Sequence, residues 1–166
     1  MMKAFLRQFK GRNGHTPLVQ FIKYGIGGCL ATAVHIGLFY LMALKFLPAL
    51  SGNDVIAGLL HLSVPEVSNA LRARNSMIDN TAAFLFSNLT AYLINIYWVF
   101  EPGRHHPVLE FLYFYLVSGI SVVIGSSLMG YLIHSYGITT THAFLVNVVV
   151  SLLINYVVRK HLVFKG

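Results

Sequence analysis

The chain has 166 residues, 56% of them hydrophobic and only 10% charged, with a mean hydropathy of +0.67. Water-soluble domains carry roughly a quarter charged residues, so the composition excludes one and points to the bilayer. The net charge of +7 does not predict a nucleic-acid partner either, because the cations gather at chain ends and loops rather than on one recognition surface.

No Asp, Glu, Lys or Arg occurs over 24–44, 81–100 or 111–158. A helix needs about 20 apolar residues to cross a hydrocarbon core about 30 Å thick. These runs predict spans near 22–44, 81–100, 111–134 and 139–160, the last two joined by a turn at 135–140. The predicted fold is therefore an all-α integral membrane protein, a single domain with four transmembrane helices. Lys3, Arg7, Lys10, Arg12, Lys23, Arg104, Arg159, Lys160 and Lys165 fall on one predicted side. The other side has Lys45, Arg72 and Arg74, offset by Asp54, Glu66 and Asp79. The positive-inside rule then puts both termini in the cytoplasm. The first apolar run is too long for a removable signal, and no small-residue cleavage motif follows a short apolar stretch.

In chain order, residues 1–18 form a basic arm with Gly11, Gly14 and Pro17 as breakers. It serves as a topology determinant or meets anionic headgroups. Span one carries Gly27 and Ala31 at a spacing that lets a neighbouring backbone approach closely. Span three repeats the device in Ser121/Gly125 and Ser126/Gly130. His35 lies mid-span and is expected to be a neutral, hydrogen-bonded side chain facing the bundle. Cys29, the only cysteine, excludes an intramolecular disulfide. Residues 46–79 are read as an outer loop of one or two amphipathic helices, one starting at Asp54 and another at the capping pattern Ser63-Val64-Pro65-Glu66. Span two carries Asn88, Tyr92 and Asn95, then Trp98 at its edge. His105 and His106 have no ligand-spaced companions, so neither a metal nor a cofactor is expected. In span four, Asn147, Ser151, Asn155 and Arg159 recur every fourth residue and form a polar stripe on one helix face. Such a stripe either bridges helices or lines a furrow for a ligand's polar head, with Arg159 and Lys160 gathering a phosphate at its mouth.

The chain also repeats itself. A shift of 64 positions pairs Ser87 with Ser151, Tyr92 with Tyr156, Val99 with Val163 and Phe100 with Phe164. A shift of 90 lays Phe21 and Tyr24 on Phe111 and Phe114. The reading is a duplicated two-helix unit whose copies enter the membrane in the same direction, related by an axis along the membrane normal. A parallel homodimer and a hetero-complex are both compatible with it. No nucleotide-binding glycine motif, nucleophile elbow or paired carboxylates appear, so no enzymatic activity is expected. All five acidic residues are read as helix-end or loop residues. That disfavours an exporter of small cations, which needs a carboxylate inside the membrane.

The first-span pattern Phe21-Ile22-Lys23-Tyr24-Gly25-Ile26-Gly27-Gly28 and the doubled helix ending resemble the GtrA-like family of small four-span bacterial membrane proteins. The resemblance covers roughly 19–45 and 80–166. Of the family's ending, Asn155, Tyr156, Lys160 and Phe164 fit the second copy, while Arg159 stands where Asn is usual and Leu162 where an aromatic is. Tyr92, Asn95, Trp98 and Phe100 fit the first copy, from which Ala91 and Ile96 depart. The outer loop is longer than the resemblance leads one to expect. The resemblance implies a role in moving polyprenyl-phosphate-linked sugars across the cytoplasmic membrane for cell-surface glycosylation. Under that implication Lys23, Arg159 and Lys160 would capture the phosphate, and Tyr92, Asn95, Asn147, Ser151 and Asn155 would line the sugar's path. The alternative is a non-transporting anchor or regulator of a glycosyltransferase that uses the same carrier.

Overall fold

A computed structural model describes residues 17–100 and 107–158, with the backbone alone at 17, 107, 110, 152 and 155–158. The described chain is all helical: α1 (Pro17–Lys45), a short α2 (Val55–Leu59), α3 (Asn69–Ile94) running into a π turn (Asn95–Val99), α4 (Pro107–Tyr136) and α5 (Thr140–Val158). Three helical stretches, Leu18–Lys45, Asn69–Val99 and Phe111–Tyr136, are long and apolar enough to cross a membrane, and Thr140–Ser151 is a shorter apolar stretch.

α3 begins earlier than the charge pattern predicts. Residues 69–79, read above as the end of an outer loop, are its first turns and include Arg72, Arg74 and Asp79. The start is set by Ser68, whose hydroxyl accepts from the Leu71 amide, and not by Ser63, which lies in irregular chain. A side-chain acceptor at that position satisfies one of the four orphan N–H groups of a helix start. The 46–68 connection holds only one described helix, α2, and Asp54 is its N-cap. The turn between α4 and α5 is short. Gly137 takes φ +63°, where a side chain is strained, and its N–H returns to the Ile133 carbonyl.

Helices pack in sequence around the bundle, α1 on α3, α3 on α4 and α4 on α5. Close approach follows from small residues. A Cβ on Gly27 would meet Ile94 Cγ2 at 2.8 Å, and one on Gly130 would strike Met77. α1 and α5 share no comparable backbone seam. They meet through rings near the 46–68 connection: Phe39 stacks on Phe144 at 4.2 Å and 12°, and Tyr40 lies edge-on to Phe144 at 5.9 Å. Phe39 and Phe144 belong to one core cluster with Ala73, Ala83, Met129, Ile133 and Ala143. The polarity is inverted relative to a soluble bundle. Among the described residues as many polar as hydrophobic side chains are buried, 14 of each, while Leu116, Val123, Leu145 and Leu153 face outward. Apolar outside and polar inside is the arrangement a helical bundle needs in lipid.

Two anchors tie the connection to the bundle. The buried Asp54 carboxylate accepts from the Thr141 amide (3.0 Å), from the Thr141 hydroxyl and from the Ile56 amide (3.2 Å). Asn75 donates to the Pro48 carbonyl at 2.8 Å, and Thr140 to that of Ala49.

Candidate functional site

Beside the rings through which α1 and α5 meet, a cavity of about 260 Å³ lies between these two helices, floored by α3 and α4. Its walls repeat the duplication. At the shift of 90, Tyr24, Gly28, Ala31 and Thr32 of α1 match Phe114, Ser118, Ser121 and Val122 of α4, and all eight line the cavity. At the shift of 64, Asn80, Phe84 and Ser87 of α3 match Phe144, Val148 and Ser151 of α5, and again all of them line it. The furrow thus lies where the two copies face one another. Gly28, Thr32 and Ile36 on its rim are exposed, so its side opens to the surroundings of the bundle.

A chain of hydrogen bonds crosses the closed end of the furrow. His35 Nε2–H donates to Asn80 Oδ1 (2.9 Å), and His35 Nδ1 meets Ser87 Oγ at 3.0 Å. Asn80 Oδ1 also accepts from Asn147 Nδ2 (3.1 Å), and Asn80 Nδ2 donates to Ser126 Oγ (2.7 Å). Ser151 Oγ lies 3.4 Å from the Ser121 carbonyl and 3.5 Å from Asn147 Oδ1. One residue from each long helix is engaged: His35 in α1, Asn80 in α3, Ser126 in α4 and Asn147 in α5. Gly125 makes room for the last of these. A Cβ there would lie 3.2 Å from Asn147 Cγ and 2.8 Å from Ser151 Oγ, with Asn147 Oδ1 nearer still.

Of the residues read from the sequence, Asn95, Asn147 and Ser151 come together on the furrow wall. Tyr92 does not line it; its ring sits between Phe111 (5.1 Å) and Phe114 (5.7 Å) on the seam of α3 and α4. Lys23 is fully buried beside the furrow. Its Nζ donates to the Trp98 carbonyl (3.2 Å) and lies 5.3 Å from the centre of the Trp98 ring. The π turn leaves carbonyls at the end of α3 without helical donors. Lys23, with Gln20 donating to Val99 at 3.5 Å, covers them. Arg159 and Lys160 lie outside the described residues, as do the arm at 1–16, His105 and His106, and the side chain of Asn155.

The sequence reading gave no site role to two furrow residues that matter, Asn80 and Asn88, and misplaced the acid next to the first of them. Asn80 stands at the crossing of the network, and no periodic stripe announced it. Asn88 lines the furrow as a buried residue whose amide nitrogen has no partner among the described residues. Asp79 corrects an expectation. It is neither at a helix end nor in a loop but well inside α3, fully buried, with both carboxylate oxygens unpartnered among the described residues. The argument against ion coupling from the lack of a buried acid therefore falls. No cluster of three or more His, Cys, Asp or Glu that could hold a metal occurs among the described residues.

The profile of the family described as GtrA/DPMS, transmembrane domain, matches residues 23–164. The chain belongs to that family. Its GtrA/DPMS domain, together with the three long apolar helices, makes it a multi-pass membrane protein of lipid-linked sugar processes. No curated protein and no solved structure matches the chain.

Proposed function

We propose that this GtrA/DPMS protein translocates a polyprenyl-phosphate-linked sugar across the bacterial cytoplasmic membrane, for glycosylation of cell-surface polymers, without catalysing a reaction. All four long helices span in this reading, with both termini in the cytoplasm, where the cations collect. The observation that carries the reading is the furrow: a mainly apolar cavity, open at the side of the bundle, whose wall carries a cluster of amides and hydroxyls. A polyprenyl chain is at home in lipid, so only its phosphate and sugar need a path, and a lateral furrow supplies one without a wide pore. Ligand pockets usually span roughly 300–1,000 Å³. At about 260 Å³ the furrow suits one sugar better than an oligosaccharide. Asn95, Asn147, Ser151 and Asn155 face the sugar in this reading, and Arg159 and Lys160 at the end of α5 hold the phosphate as cations. Lys23 and Tyr92 support that end through Trp98 and the α3–α4 aromatic seam.

The test is reconstitution in liposomes with a short-chain polyprenyl-phosphate hexose, following how fast the lipid becomes reachable on the far leaflet. Acceleration over empty liposomes, reduced by Arg159→Gln in folded protein, is the expected result. No acceleration with any of several sugars, in protein shown to be folded, would move the assignment to a membrane partner of a glycosyltransferase.

A further inference from the structure

Most of the buried polar side chains of the furrow are tied into the bundle. His35, Asn80, Ser87, Asn147 and Ser151 are bonded to one another or to backbone, and those bonds join helices. Asn88 is different. It lines the furrow, is only 8% exposed, and its amide nitrogen has no partner among the described residues. A buried donor left unmatched costs about 1–3 kcal/mol, so an amide at this position calls for a reason beyond folding. The duplicated unit as such does not call for an amide here. The residue matching Asn88 at the shift of 64 is Leu152, a side chain of similar reach with no polar atom.

We propose that Asn88 is the residue that selects among the hydroxyl-bearing heads the furrow's ligand can carry, the polar stripe of α5 lying along the sugar's path without setting that preference. The inference rests on the reading of the furrow as a sugar-lipid site. A primary amide presents a donor and an acceptor side by side, which matches neighbouring sugar hydroxyls, each able to donate and accept. A phosphate only accepts and is better held by cations. Phe84, one helical turn from Asn88, and Phe114 on α4 add apolar ring faces to the same wall, against which the C–H face of a sugar ring packs.

Two measurements on Asn88→Leu test this. One is thermal stability of the purified full chain in detergent. The other is binding of short-chain polyprenyl phosphate, bare or carrying glucose, galactose or N-acetylglucosamine. The melting temperature should hold or rise, affinity for the preferred sugar lipid should fall about fivefold to tenfold, as for one lost hydrogen bond, and affinity for bare polyprenyl phosphate should not change. Asn147→Ala should show the opposite pattern, a lower melting temperature with the preference among sugars kept. Unchanged sugar-lipid affinity in Asn88→Leu overturns the inference. So does a marked loss of stability shared by Asn88→Leu and Asn88→Ala, which would make the amide a structural bond. If the wild type binds none of the four lipids while folded, the furrow reading itself has failed, and the inference with it.

Discussion

Gly125→Ala tests whether the furrow wall is held by the contact drawn above. The new Cβ would sit 3.2 Å from Asn147 Cγ and strike Asn147 Oδ1, so Asn147 must rotate away. Rotation breaks its bond to Asn80 (3.1 Å) and withdraws the acceptor 3.5 Å from Ser151. Hydrogen bonds between helices in membranes are worth about 0.6 kcal/mol each, and a side chain forced off its rotamer adds about 0.5–1.5 kcal/mol. The single substitution should therefore cost about 2 kcal/mol. In an Asn147→Ala background the obstructing amide is gone, and only the Ser151 hydroxyl, 2.8 Å away and free to turn, remains in the path. Alanine is also what the duplicated unit carries there, since Ala83 matches Asn147 at the shift of 64. Gly125→Ala should then cost less than about 0.5 kcal/mol, a coupling of about 1.5 kcal/mol. Denaturant titration in bicelles, followed by emission of the sole tryptophan, Trp98, measures all four corners of the cycle. Additive costs would refute the claim that Gly125 exists to seat Asn147.

Other substitutions probe other joints. Lys23→Met leaves the Trp98 carbonyl without its donor and the indole without its cation; the expected loss is about 2 kcal/mol, with a shift in Trp98 fluorescence that Arg159→Gln does not produce. Asp79→Val removes two buried, unpartnered carboxylate oxygens. The protein should become more stable by about 1–3 kcal/mol, and a lower melting temperature would show that the carboxylate is bonded in the folded state. Asp54→Ala removes the cap of α2 and the bonds to Thr141. Limited proteolysis within 46–68 should accelerate at least tenfold, corresponding to about 1.4 kcal/mol or more of easier local opening; an unchanged cleavage rate would mean that the connection is held by other contacts.

The all-helical architecture was legible because uncharged runs of membrane length leave little else to form. The start of α3 was not, because Arg72, Arg74 and Asp79 look like loop charges when counted along a line. Arg72 and Asp79 are in fact buried on one helix face, while Arg74 is exposed. The stripe of α5 was visible from its spacing, yet not its use. What decides that is Asn80, 67 residues away from Asn147, and a single sequence does not display such a pairing. Lys23 was recognisable as a cation near a membrane edge. Its partner is a carbonyl at the π turn of α3, a backbone feature that has no residue signature. The repeat offsets carried the most information. They were read from scattered identities, and they turned out to pair the opposite walls of the furrow.

The stacked rings of Phe39 and Phe144 have an electrical consequence. With polar groups running into the bundle from one side, a continuous wet channel would let ions leak and discharge the membrane around it. Two apolar rings in van der Waals contact leave no room for a hydrated ion between them, so the stack works as an insulator at the far end of the furrow. In the proposed reading, polar groups can thereby sit inside the bilayer without an open path for ions through this contact.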